Sequence, residues 1–152
     1  MPIAAQSNTL GLANKNSKAA MTTLHKDQFG HLTHDAAKKF FRFDWFPATA
    51  DMTADDFKHS LTVAADAALA HCVESILVDV RDCRPNPAMG EVCEWRVRNI
   101  VPKYNKVLKR FAWLTGAELP GEGNAYSNEG ETYQNRWFLD EAAAVSWATT
   151  NA

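Results

Sequence analysis

Six residues that can do chemistry are crowded into eight positions of the stretch SILVDVRDCRPNPAMGEVCEW (75–95): Asp79, Arg81, Asp82, Cys83, Arg84 and Asn86. They follow an apolar run that reads as a covered strand and precede a proline-started helix, and strand C-termini are where open α/β sheets bind ligands. A helix start presents free N–H groups to an anion, and Arg81 and Arg84 add charge-assisted hydrogen bonds to a carboxylate or phosphate. The same surroundings would lower the pKa of Cys83 and favour its thiolate. A nucleophile also needs a base, however, and no histidine lies near Cys83 in sequence. These six residues therefore read as a ligand-facing or partner-facing loop without a catalytic set. An enzyme using Cys83 or the Asp79–Asp82 pair is the alternative, and a loop closed on itself by Asp–Arg pairs is the plainer reading.

From Arg81 to Arg110 eight Lys or Arg stand against Asp82, Glu91 and Glu94, a net +5. Trp95, Arg96, Arg98, Lys103 and Tyr104 place rings and cations together, the combination an interfacial helix offers to anionic lipid. They form a candidate membrane-facing set, weighed against a solvated helix face with Trp95 packed inside. His25, His31, His34, His59 and His71 are scattered, and His31 and His34 in a turn are weak evidence for a metal. Neither a metal nor a cofactor is expected. Cys72, Cys83 and Cys93 form no CxxC pair, which suits reduced thiols better than a disulfide framework.

The elements that would position these groups follow from periodicity. MTTLH (21–25) reads as a short strand, with a second after a turn near Gly30. In KKFFRFDWF (38–46), Phe41, Phe43 and Trp45 alternate with Arg42 and Asp44, the period of a strand. Thr53 with Asp56 three residues on forms a capping box, and Met52 can staple onto Phe57. The helix it opens carries Phe57, Leu61, Ala64, Ala65, Ala68 and Cys72 on one face. Residues 75–80 are apolar enough for a central parallel strand. Asn86 can cap a second helix with Pro87 at its first position, its stripe being Met89, Val92, Val97 and Ile100, until Pro102 kinks or ends it. LKRFAWLTG supplies another strand, 115–132 a Gly-rich acidic loop with Glu118, Glu122, Glu129 and Glu131, and YQNRWFL a last strand. Asp140 caps a final helix with Ala144 and Trp147 inward. Strands alternating with helices imply right-handed crossovers and a mixed sheet covered by helices, a single α/β domain.

The bounds agree. A chain of 152 residues, 46% apolar and 22% charged, holds one core. Its net charge of -2 gives no argument for nucleic acid. No apolar run reaches the roughly 20 residues a bilayer span needs. Residues 1–20 read as a flexible tail ahead of a domain over 21–152.

SILVDVRDCR, EWRVRNIVPK, KRFAWLTG and RWFLDEAAAVSW, taken in this order, resemble the SpoIIAA-like proteins of the STAS superfamily, related to the CRAL-TRIO lipid carriers. The resemblance covers roughly 21–149. It implies a non-enzymatic cytoplasmic binding or regulatory module for a small apolar or amphipathic, lipid-like ligand or a protein partner. Peripheral association with an anionic inner-membrane surface and homodimerisation stay open. In regulatory members, the loop after the strand at 75–80 carries a phosphoacceptor Ser or Thr. Here Cys83, Arg84, Pro85, Asn86, Pro87 and Ala88 offer no hydroxyl. A protein-interaction regulator lacking the phosphoacceptor is therefore the alternative. The acidic loop 115–132 departs from the family too, which usually has a helix there.

Overall fold

The computed structural model describes residues 21–116 and 124–150. The expected tail, 1–20, lies outside them, as do Glu118 and Glu122 of the acidic loop. Six strands form one sheet in sequence order: β1 (Thr22–Lys26), β2 (Gly30–Asp35), β3 (Phe40–Trp45), β4 (Ser75–Asp79), β5 (Arg110–Leu114) and β6 (Gln134–Phe138). The first three meander antiparallel, and β3 to β6 are parallel. The chain is a single-domain α/β fold with a mixed sheet, as its alternation of strands and helices implied.

Alternation in β3 decides the two faces. Phe41, Phe43 and Trp45 join Ile76, Val78 and Phe111 in the larger core, beneath α1 (Ala54–His71). Phe40, Leu77, Ala112, Leu114 and Phe138 form a smaller core under α5 (Glu141–Thr149), whose Ala144 and Ala148 are buried against them. Helix α5 packs mainly on β4 to β6 and reaches the edge of β3 at Phe40 and Arg42. On that same face, Thr23, Thr33, Arg42 and Asp44 of β1 to β3 line an open polar groove.

The caps form as the side chains dictate. Thr53 Oγ1 accepts the Asp56 N–H, and Asp56 returns a carboxylate to the Thr53 N–H, so two N–H groups that the first turn leaves unpartnered are satisfied. Asp140 accepts the Ala143 N–H at the head of α5. Cys72 is a correction: the 3.6-residue period places it inward, whereas it ends α1 in the left-handed region at φ 52° and is exposed. Gly30 opens β2 beneath the Phe43 ring, where a Cβ would sit 2.5 Å from a ring carbon.

The second expected helix is three short ones, α2 (Ala88–Glu91), α3 (Cys93–Asn99) and α4 (Val101–Tyr104). Pro102 has no N–H to return to the Arg98 carbonyl, so the chain must restart at α4. The stripe differs from the expected one, because Val97 lies five residues, about 140° of helix, from Val92. Val92 and Ile100 are buried as expected, but Val97 is 53% exposed and Met89 partly so. Among residues spaced by four, Val92, Ile100 and Tyr104 face inward, and Arg96 falls on their line.

Candidate functional site

The junction loop is built largely on itself. Val80 and Cys83 make a turn, with the Cys83 N–H donating to the Val80 carbonyl. The Arg84 N–H donates to Thr49 Oγ1 at 2.8 Å. Asn86 Nδ2 donates to the carbonyls of Thr49, Ala50 and Met52, and its Oδ1 accepts the Ala88 N–H. Asn86 thus caps the turn into α2 and at the same time ties the loop to the short 3-10 turn Pro47–Asp51. Asp82 and Arg84 are exposed. Cys83 is half-buried, and burial pushes its thiol up, outweighing the hydrogen bond from Thr49 and the charge of Arg84. The lowered thiol pKa expected from two nearby arginines is corrected, because desolvation dominates at this depth.

Asp79 and Arg81 belong to a larger cluster. Arg81 donates through Nε and Nη2 to both oxygens of Asp79, at 2.9 and 2.7 Å, and Nη2 also reaches Glu141 at 3.1 Å. Arg42, from the middle of β3, spends its fork on three carboxylates: Nε to Asp44 at 2.9 Å, Nη1 to Glu141 at 2.7 Å and Nη2 to Asp79 at 3.1 Å. Two guanidinium groups and three carboxylates therefore clamp the ends of β3 and β4 to the start of α5. Burial works to raise Asp79, but the hydrogen bonds and charge of Arg81, joined by Arg42, hold it below the usual carboxylate range. Asp44 is moved the other way: burial raises it above that range against the pull of Arg42. Sequence reasoning read Arg42 and Asp44 only as the alternate positions of a strand, gave them no role in the site and missed Glu141. The available signal was charge at alternate positions within a run of five aromatic residues (FFRFDWF).

The basic segment does not form one surface. Tyr104 is a correction, being 4% exposed and packed edge-on against Phe111 and Tyr133, so it cannot face a membrane. Trp95 is half-buried against the larger core with the Lys58 ammonium over its ring. Lys103 pairs with Asp66 of α1 at 2.6 Å, and Arg98 with Glu94 on the exposed side of α3. Arg96 is placed inward, which corrects its assignment to the outer surface. Among the histidines, His34 lies 4.6 Å from His71 and His25 bonds Asp27. No group of three metal-ligating side chains occurs among the described residues.

Arg96 reaches a cavity of about 300 Å³ between the sheet and α1, α2, α3 and α4. Its floor is β2 to β5, with Phe43, Trp45, Phe111 and Trp113, and its roof includes Phe57, Ser60 and Ala64. Tyr104 closes one side, and burial raises its hydroxyl well above the ordinary phenol range, opposed by the charge of Arg96. The cavity had no sequence signature, because its lining comes from eight separate elements. A scan against protein-family models and searches of curated proteins and of solved structures returned no match for this chain. What the fold and the site define is a single α/β domain with an apolar cavity under one sheet face and an ion cluster on the other. No helix among the described residues is long and apolar enough to cross a membrane.

Proposed function

We propose that this chain is a non-enzymatic, cytoplasmic binding domain of the SpoIIAA-like kind, whose ligand is a small apolar or amphipathic molecule held between the sheet and the α1–α4 layer. The observation that carries this reading is the cavity. Its mouth passes the exposed Met89, Gly90 and Cys93, so an apolar space of about 300 Å³, within the size range of small-molecule sites, is open to a ligand from solvent. Protein interiors are otherwise close-packed, with few voids larger than a water. The lining is a poor host for water, which needs two to four polar partners, since Ser60, Arg96 and Tyr104 are its main polar side chains. An apolar occupant suits this lining. The strand and helix order agrees with the SpoIIAA-like resemblance, and a small-ligand site suits its kinship with lipid carriers. The raised thiol of Cys83 argues against the enzymatic alternative.

Native mass spectrometry of protein purified without detergent tests the proposal. A small-molecule adduct is expected, and Ala64→Leu, which adds carbon to the cavity roof, should lose it while unfolding at a higher temperature. No adduct, together with no thermal shift from any member of a fatty-acid and aromatic-acid panel, would refute it.

A further inference from the structure

The ligand's chemical class follows from what faces the cavity; this rests on the proposed binding function and goes a step further. Among the described residues, Arg96 is the one charged residue in the lining. It is half-buried, and among the described residues it makes no ion pair. Arg98 and Lys103, the next two cations along the same segment, do have carboxylate partners, Glu94 and Asp66. Arg96 of α3 and Tyr104 of α4 both line the cavity, two turns apart along the same segment. A guanidinium drawn in among apolar residues gains most from an anion, which it binds through two parallel N–H···O bonds.

One fixed cation matches one negative charge. A carboxylate meets that condition, whereas a phosphate monoester near pH 7 would bring up to a second charge into an apolar site. The remaining surface sets the body of the ligand. Phe43, Trp45, Phe111 and Trp113 lie beneath the cavity, with Phe57 and Tyr104 on the helix side. Rings enclosed by rings gain roughly 0.5–1.5 kcal/mol beyond burial alone. Scaling from a 150 Å³ cavity that takes benzene, this one takes about a dozen non-hydrogen atoms. The geometry points to an aromatic monocarboxylate of two-ring size, its ring system over the sheet and its carboxylate on Arg96.

Calorimetric titration of the full chain at neutral pH with three probes of matched size, 2-naphthoate, 2-naphthalenemethanol and decanoate, tests this. Naphthoate should bind at least about tenfold more tightly than the alcohol, the worth of a charge-assisted hydrogen bond. It should also bind more tightly than decanoate. Arg96→Gln should remove the advantage of naphthoate over the alcohol, and the alcohol's own affinity reports whether the variant's cavity is intact. Arg98→Gln, on the exposed side of the same helix, should change neither. If naphthoate and the alcohol bind alike, or Arg96→Gln leaves naphthoate untouched, the anion assignment is wrong while the cavity reading stands. Decanoate binding as tightly as naphthoate overturns the aromatic assignment. If none of the three binds, the ligand class is wrong, and the native-mass-spectrometry adduct then decides separately whether the binding function stands.

Discussion

Replacing Arg42 by Met keeps the aliphatic stem and removes the fork that joins three carboxylates. Only 11% of the Arg42 side chain and 11% of that of Asp79 are exposed, so the charges left behind would be poorly solvated. Truncating one partner of a buried pair costs about 3–5 kcal/mol, mostly the penalty of stranding the other charge. Asp79 and Glu141 retain Arg81, and Asp44 loses its ion-pair partner, so the lower end, about 3 kcal/mol, is expected. For a domain of this size that corresponds to a fall of about 6–12 °C in midpoint, at roughly 2–4 °C per kcal/mol. The reasoning is electrostatic and therefore predicts a pH signature. Burial already raises Asp44, so it takes up a proton at a higher pH than an ordinary carboxylate, and acidification relieves the stranded charge. Urea unfolding followed by circular dichroism, at about pH 7 and about pH 4.5, should show a smaller Arg42→Met penalty at the lower pH. Adding Asp44→Asn should recover part of the loss, a coupling that a double-mutant cycle isolates. Arg81→Met is the contrast: its side chain is 41% exposed, and solvent screening limits its cost to about 1 kcal/mol. A penalty for Arg42→Met below about 1 kcal/mol, or one equal at both pH values, would refute the argument.

Two further outcomes follow from the titrating groups. Burial, aided by His71, lowers the pKa of His34, while Asp35 pulls the other way. Its proton is therefore favoured by the unfolded chain, and stability should fall as pH drops below about 6.5, its unfolded value. The depressed Asp79 contributes stability above about pH 3.9 that is lost as pH falls through its lower folded value, whereas acidification relieves the raised Asp44. Urea midpoints between about pH 7.5 and 5.5 should slope less in His34→Gln than in the wild type, and equal slopes would remove His34 from the account. Iodoacetamide should label Cys83 more slowly than exposed Cys72 and Cys93, because burial both shields the thiol and raises its pKa. Fastest labelling at Cys83 would restore the thiol chemistry that the loop first suggested.

Local pattern settled most of the architecture. The alternation of Phe41, Phe43 and Trp45, the Thr53–Asp56 box and the apolar run at 75–79 each act over a few residues, so strand, helix start and central strand were legible from the chain. Asn86 as a cap was legible for the same reason, although its ties to Thr49, Ala50 and Met52 were not. Pro102 announced a break, and the inward line of Val92, Arg96 and Ile100, spaced by four, was available in the sequence although Val97 was read in place of Arg96. Two features belonged to the tertiary structure alone. Arg42, Asp79 and Glu141 meet across 37 and 99 positions, and no local period carries such a distance. The cavity is a volume left between elements, set by how far apart the sheet and helices settle, so no single stretch of sequence contains it. Sequence fixes which faces are apolar; packing decides where those faces fail to touch.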